Sequence, residues 1–314
     1  MDRAIILRTP GGPEVLKSEP ISVGAPGSGQ VRLIHTAIGV NFHDCYVRSG
    51  LYSTLALPGI PGLEAVGTVD AVGPDVADFH PGDRVGYITR QYGGYATARL
   101  IDPSALIRLP QSVDDRTAAA TLLRYVFPVR AGQTVLVHAA AGGVGRLIAQ
   151  WAHHLGATVI GTIGSEEKAA LARANGCAHT ILYRTENFVD KVRDITNGRG
   201  VDVVYDSVGK DTFAGSLQSL AMRGHLANFG QSSGPIEPFH ISTLFEKSNS
   251  VSRANVFHYF TGADREPMAQ ALFSALAERV ITPGHFHEYA FDDAAKAHAD
   301  MEARKTAGAV LLIP

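Results

Sequence analysis

The run His138-Ala-Ala-Ala-Gly-Gly-Val-Gly145 constrains this 314-residue chain more than any other feature, because of what flanks it. Upstream, residues 134–138 form a short apolar stretch that reads as a buried strand. Downstream, Val144, Leu147, Ile148, Trp151 and Leu155 recur at helical spacing, and Gly156 stands where a helix C-cap belongs. Strand, tight glycine turn and amphipathic helix, in that order, open a dinucleotide-binding βαβ unit. Gly142 and Gly145 match the second and third glycines of that fingerprint, where a missing Cβ allows close pyrophosphate approach and close helix packing. Ala140 occupies the usual place of the first. A helix starting near Gly143 offers unpaired N–H groups and a positive dipole end to a diphosphate, with Ala141, Gly142, Gly143 and Val144 as the backbone in reach. A small-residue turn without a ligand is the plainer alternative; the second strand at the right distance favours the cofactor.

The alternation continues. Residues 157–163 read as a second strand, 166–175 as its helix, 180–182 as a third strand, 187–195 as a helix, and 201–205 and 225–229 as further strands. An NAD site wants a carboxylate about 20 residues beyond the glycines, for the ribose hydroxyls. Here the second strand ends in Gly161-Thr-Ile-Gly164-Ser165 without an acid, while Lys168, Tyr183 and Arg184 follow nearby. Hydroxyl and cationic groups suit a 2′-phosphate, which favours NADPH. Ser165 also fits as an ordinary N-cap, with Glu166 and Glu167 offsetting the helix dipole, and the two roles are compatible.

Before residue 115 the pattern differs: short β-branched runs at 30–39, 65–72 and 84–88, broken by Gly and Pro. After Phe239 the alternation stops, and residues 264–279 and 293–304 read as helices and 309–313 as a closing strand. The expected division is a β-rich domain over 1–120, a cofactor domain over 121–248, and a return to the first domain over 249–314. A formal charge of −2 gives no electrostatic reason to expect nucleic acid or an acidic membrane. Cys45 and Cys177 are too few for a disulfide framework and read as free thiols in a reducing compartment, the cytoplasm by default. Early charges and a Pro-Gly-Gly turn replace a secretory h-region in residues 1–16, and no apolar stretch approaches a membrane span.

The motifs Pro61-Gly-Leu-Glu-Ala-Val-Gly67, Val72-Gly73, Pro81-Gly-Asp-Arg-Val85, Ala140-Ala-Gly-Gly-Val-Gly145 with Gln150, Val203-Val-Tyr-Asp-Ser-Val-Gly209, Phe229-Gly230 with Ser232-Ser-Gly234, and Gly308-Ala-Val-Leu-Leu-Ile-Pro314 run over nearly the whole chain. Together they resemble the medium-chain dehydrogenase/reductase superfamily and, within it, the quinone oxidoreductase and zeta-crystallin branch. The resemblance implies an α/β fold: a GroES-like, β-rich catalytic domain interrupted by a Rossmann domain with a doubly wound parallel sheet. It implies NADPH-dependent reduction of a small quinone or enone, by hydride or stepwise electron transfer, in a homodimer. It assigns Asn41, Tyr46, Tyr52 and Arg253 to the catalytic site, and Asn41 again, with Ser207, Phe229, Gly230, Ser232, Val256 and Arg304, to the cofactor. An amide can bond a ribose or a carbonyl, and a phenol offers a ring face with a polar tip; packing in a β domain is the plainer role for the tyrosines. An enoyl or alkenal reductase, with Tyr52 protonating carbon, is an alternative within the family. A low-turnover NADPH-binding protein with RNA affinity, known among the crystallin relatives, is an alternative of another class.

Between Leu123 and Arg124 the chain is shorter than the family pattern by roughly ten residues, the length of a small helix. In relatives that stretch helps to cover the nicotinamide, so a true deletion implies weak quinone turnover with cofactor affinity intact; residues missing from the sequence are the alternative, from which no loss of turnover follows. The zinc-dependent relatives carry Cys and His where this chain has Asn41 and Leu63, and Glu64 alone is no tetrahedral site. Activity is therefore expected to survive strong chelation, and elemental analysis to find no stoichiometric zinc. One tightly held zinc per chain with chelator-sensitive turnover would overturn this.

Overall fold

The computed structural model describes residues 1–115, 129–255, 258, 265–282 and 284–314. The chain divides into two units: Met1–Leu122 with Arg265–Ala277 and Pro283–Pro314, and Leu123–Asp264 with Glu278–Thr282.

The first unit begins with β1 (Asp2–Ile6) and β2 (Lys17–Ile21), an antiparallel pair. β3 (Val31–Val40) leads into the helix α1 (Phe42–Ser49), followed by β4 (Glu64–Val72), β5 (Arg84–Ile88), β6 (Ala98–Ile101) and β7 (Leu106–Arg108). α1 starts where Asn41 keeps an extended backbone and stops at Gly50, whose φ of 85° ends the helix in the left-handed region. Period-2 patterning does not foretell it, because eight residues hold too few apolar positions to show a helical stripe.

The second unit holds β8 (Thr134–Val137), α2 (Gly143–His154), β9 (Thr158–Ile163), α3 (Glu166–Ala174), β10 (Cys177–Leu182), α4 (Phe188–Ile195), β11 (Val201–Asp206), α5 (Phe213–Ser219), β12 (Leu220–Asn228) and β13 (Ser250–Arg253). The strands pair in the order β10-β9-β8-β11-β12-β13, all parallel. Strand order reverses between β8 and β11, and the carboxyl ends of the strands at such a switch point are where open α/β sheets bind ligands. Gly156 follows α2 with φ of 83°, the expected C-cap conformation. His153 and His154 are exposed on the last turn of α2.

The tail comprises α6 (Arg265–Ala277), β14 (Phe286–Ala290), α7 (Ala294–Glu302) and β15 (Ala309–Ile313). β15 pairs antiparallel with β3, Val310 opposite Val40, and parallel with β14, so the end of the chain does rejoin the first sheet, ordered β14-β15-β3-β4-β5-β7 with β6 also on β3. The return begins later than the expected 249, because β13 belongs to the parallel sheet, where His225 pairs with Ser250. Ser-Val-Ser-Arg has a single apolar residue, and an edge strand of that composition gives no burial signal. Val256 and the Leu123–Arg124 junction lie outside the described residues. Among the described residues no helix is long and apolar enough to cross a membrane.

Leu312 of β15 is fully buried in the first unit's core beside Leu33 and Ile38. Leu312→Ala is expected to cost about 2–5 kcal/mol in denaturant unfolding, the range for a buried leucine truncated in place. A loss below about 1 kcal/mol would mean that the tail is not part of that core.

Candidate active site

In the first unit, the junction between β3 and α1 gathers polar groups that the surrounding strands bury. The Asn41 backbone N–H donates to Asp44 Oδ2 at 2.9 Å, and its side-chain Nδ2 donates to Glu64 Oε1, at the start of β4, at 2.7 Å. Asp44 and Glu64 are both buried. Burial pushes each carboxyl up to about 7; the Asn41 N–H and the Tyr95 hydroxyl oppose this at Asp44, and the Asn41 amide opposes it at Glu64. The Tyr95 hydroxyl donates to Asp44 at 3.1 Å and meets His298 Nε2 at 2.9 Å, while His298 Nδ1 lies 3.5 Å from Cys45 Sγ. With the single Tyr95 proton given to Asp44, Nε2 must carry the imidazole hydrogen, so Nδ1 accepts from the thiol. Burial holds His298 down to about 3, so it stays neutral. The chain from Cys45 through His298 and Tyr95 to Asp44 thus has every proton directed toward the carboxylate.

An aromatic layer rises from the same helix. Tyr46 and Tyr52 meet edge to face with centroids 5.2 Å apart, His43 lies 5.5 Å from the Tyr52 ring and stacks at 6.0 Å on Tyr92, and His43 Nε2 is 2.8 Å from the Tyr92 hydroxyl. Thr54 Oγ1 holds that hydroxyl from another side at 2.6 Å. Burial lowers the His43 pKa, leaving a neutral ring near neutral pH. Half-buried ring faces of this kind suit a flat conjugated acceptor.

In the second unit the expected cofactor residues cluster at the carboxyl ends of the parallel strands. Gly142 caps α2 without any side-chain partner, and no acid stands in the first turn, so the helix end is left open to an anion. A Cβ on Gly145 would sit 2.4 Å from the Ala139 carbonyl oxygen, which makes glycine obligatory there. A Cβ on Gly142 would meet the same oxygen at 3.1 Å. After β9, Ser165 Oγ accepts from the Lys168 backbone N–H at 3.4 Å, and a Cβ on Gly164 would lie 3.0 Å from the Tyr183 hydroxyl. Gly164, Ser165, Lys168 and Tyr183 are therefore brought together, with Tyr183 partly exposed. Ser207, Gly230 and Ser232 also converge: the Ser232 N–H donates to the Ser207 carbonyl at 3.2 Å, and a Cβ on Gly230 would meet that oxygen at 2.5 Å. Phe229 is half-buried beside them, its N–H donating to the Asp206 carbonyl at 2.9 Å.

Two further expected residues have these surroundings. Arg253, on β13, directs its guanidinium to Asn228 Oδ1 and, at 2.9 Å, to the Gly230 carbonyl, so it braces the turn that carries Phe229 and Gly230. Arg304 belongs to the first unit, exposed just after α7 with φ of 58°, whereas the other cofactor residues lie in the second, apart from Asn41. The sequence reading passed over Asp44, Tyr95, His298, His43 and Tyr92, and gave Glu64 no role. An acid heading the mostly apolar run 64–69 was the available signal for Glu64; the others converge only through tertiary pairing.

Asp44 binds its proton more tightly in the folded chain, where its pKa is about 7, than at its ordinary value of 3.8. Folding therefore takes up a proton across that window, so the contribution is full below about pH 4 and lost as pH rises to about 7. Compared with Asp44→Asn in denaturant titrations, the unsubstituted protein should lose on the order of 4 kcal/mol over this range. A pH-independent difference between the two would contradict the buried, proton-binding carboxyl.

Residues 143–275 match the zinc-binding dehydrogenase family, and residues 27–111 match the alcohol dehydrogenase GroES-like domain. A quinone oxidoreductase of Pseudomonas aeruginosa is 41% identical over 315 residues, covering 97% of both chains. A 2-haloacrylate reductase of a Burkholderia species is 40% identical, covering 100% of this chain and 99% of that protein. The crystal structure of Escherichia coli quinone oxidoreductase complexed with NADPH superposes with a TM-score of 0.95 at 38% identity, covering 100% of each chain. The paired GroES-like and parallel-sheet units, the open glycine turn and these full-length similarities lead to one conclusion: the chain belongs to the quinone oxidoreductase branch of the medium-chain dehydrogenase/reductase superfamily.

Proposed function

We propose that this protein is an NADPH:quinone oxidoreductase that works without a metal. The observation that carries the reading is the pairing of an open α2 N-terminus, over a turn only glycine can make, with an acid-free corner of Gly164, Ser165, Lys168 and Tyr183. Such a cradle fits a diphosphate at the first place and a phosphorylated ribose at the second. When bound, NADPH supplies the reducing equivalents. The protein's own part is to hold and orient: the Gly142–Gly145 backbone grips the diphosphate, Ser207, Gly230 and Ser232 shape the strand ends, and Asn41, Tyr46 and Tyr52 contact the nicotinamide side and the acceptor. A reduced quinone is a stabilised, phenolate-like product, so it needs no strong buried acid; water or a tyrosine completes the protonation. At the positions of the zinc ligands stand Leu63 and Asn41, whose amide nitrogen already donates to Glu64, and neither offers the thiolate or imidazole that holds zinc in the zinc-dependent relatives.

Reduction of an activated double bond is a second reading, favoured by the similarity to the Burkholderia 2-haloacrylate reductase. Product analysis separates the two, since a hydroquinone and a saturated carbonyl compound are different species. A homodimer is the assembly we infer, from the exposed Met222, Ile241 and Phe245 around the edge strand β13. The buried free thiols Cys45 and Cys177 suit the reducing cytoplasm.

In initial-rate and binding assays with a small quinone panel, NADPH should outperform NADH by roughly tenfold or more, as a charge-assisted contact to the 2′-phosphate requires. Lys168→Ala should narrow that gap. Equal affinity for the two cofactors in the unsubstituted protein would refute the assignment of the phosphate corner.

A further inference from the structure

Glu64 is a buried charged group that the reading above leaves without a task. Its Oε1 accepts from Asn41 Nδ2 at 2.7 Å. It fits there because of Gly39, one step along β3 from the Ile38–Ala65 pair: a Cβ at residue 39 would lie 2.1 Å from Glu64 Oε1 and 2.7 Å from its Cδ. Gly39 is not among the residues with positive φ, so its backbone does not call for glycine; the space does. A side-chain amide can turn over, exchanging its donor and acceptor ends. Turned over beside Glu64, Asn41 would set its own oxygen against a carboxylate oxygen in a buried site, which is repulsive in either the ionised or the singly protonated pair unless the carboxyl proton also moves. The backbone of the same residue is held by Asp44 at 2.9 Å, so both ends of Asn41 are fixed by carboxyls.

We propose that Glu64 is a positioning residue for the reductase site: its carboxylate, seated in the space left by Gly39, locks the Asn41 side chain into the one flip that presents it correctly to cofactor and acceptor. The inference rests on the role proposed for Asn41 in quinone reduction. Glutamine at position 64 keeps an acceptor oxygen of the same reach, whereas leucine keeps the volume and removes the acceptor.

The test joins kinetics to a direct view of the amide. In spectra of uniformly nitrogen-15-labelled protein, the Asn41 side-chain NH2 is identified by its loss in Asn41→Ser, and its hydrogen bond by a downfield, slowly exchanging proton. That signature should persist in Glu64→Gln and vanish in Glu64→Leu. Misplacing a contact of this kind costs up to about a hundredfold in rate, so Glu64→Leu should lose roughly ten- to a hundredfold in kcat/KM, Glu64→Gln should restore it to within about threefold, and Glu64→Leu should add little to Asn41→Ala. An unchanged amide signal in Glu64→Leu, equal losses in the two Glu64 variants, or full additivity with Asn41→Ala would overturn the proposal. If the unsubstituted protein reduces no quinone, the functional reading fails by itself, while the amide spectra still decide what Glu64 does.

Discussion

The turn between β8 and α2 is the constraint on which the second unit depends. Gly145 brings the first turn of α2 so close to the Ala139 carbonyl that a single added carbon would sit 2.4 Å from it. That approach points the open N–H groups of the helix outward at the end of a parallel strand, where the strand order reverses. Helix dipole, unpaired donors and absent side chains then act on the same small volume, and an anion is what that volume selects. The remaining strand ends add hydroxyl and amide groups in sequence: Ser165 after β9, Ser207 after β11, Gly230 after β12. The Arg253 guanidinium ties the last of these turns to Asn228 and to the Gly230 carbonyl.

The first unit solves a different problem, the burial of carboxyls. Asp44 and Glu64 would be costly in an apolar β domain without partners. They are retained because each accepts a hydrogen bond from Asn41, and because Tyr95 and His298 extend the network inward to Cys45. Arg48 and Glu302 clamp α1 to α7 beside it at 2.6 Å. Rigidity at Asn41 is thus built from several elements, β3, β4, α1 and α7, which is what a residue needs if it is to present one fixed face.

Much of this was legible in the sequence, and the part that was not has a physical reason. Glycine turns and buried parallel strands write their geometry locally, so the β8–α2 unit, the cap at Gly156 and the acid-free corner after Ile163 could be read residue by residue. The closing strand 309–313 was also visible as an apolar run, and its return to the first sheet came from the resemblance. β13 escaped because an edge strand needs little apolar content, and α1 because it is short. The Asp44–Tyr95–His298 network escaped for a deeper reason: its members are separated by 51 and 203 residues, and no local pattern couples them. Arg253 and Arg304 were assigned by resemblance alone; Arg253 also bonds the Gly230 carbonyl, and Arg304 is exposed in the first unit.

The central claim is that the Gly142–Gly145 turn holds NADPH through its diphosphate. Calorimetric titration of the full chain with NADPH, set beside Gly145→Val of verified helix and sheet content, tests it most directly. The account predicts one site per chain in the unsubstituted protein and a loss of at least roughly tenfold in affinity when the valine side chain forces α2 away from Ala139. Undiminished NADPH affinity in Gly145→Val would contradict it.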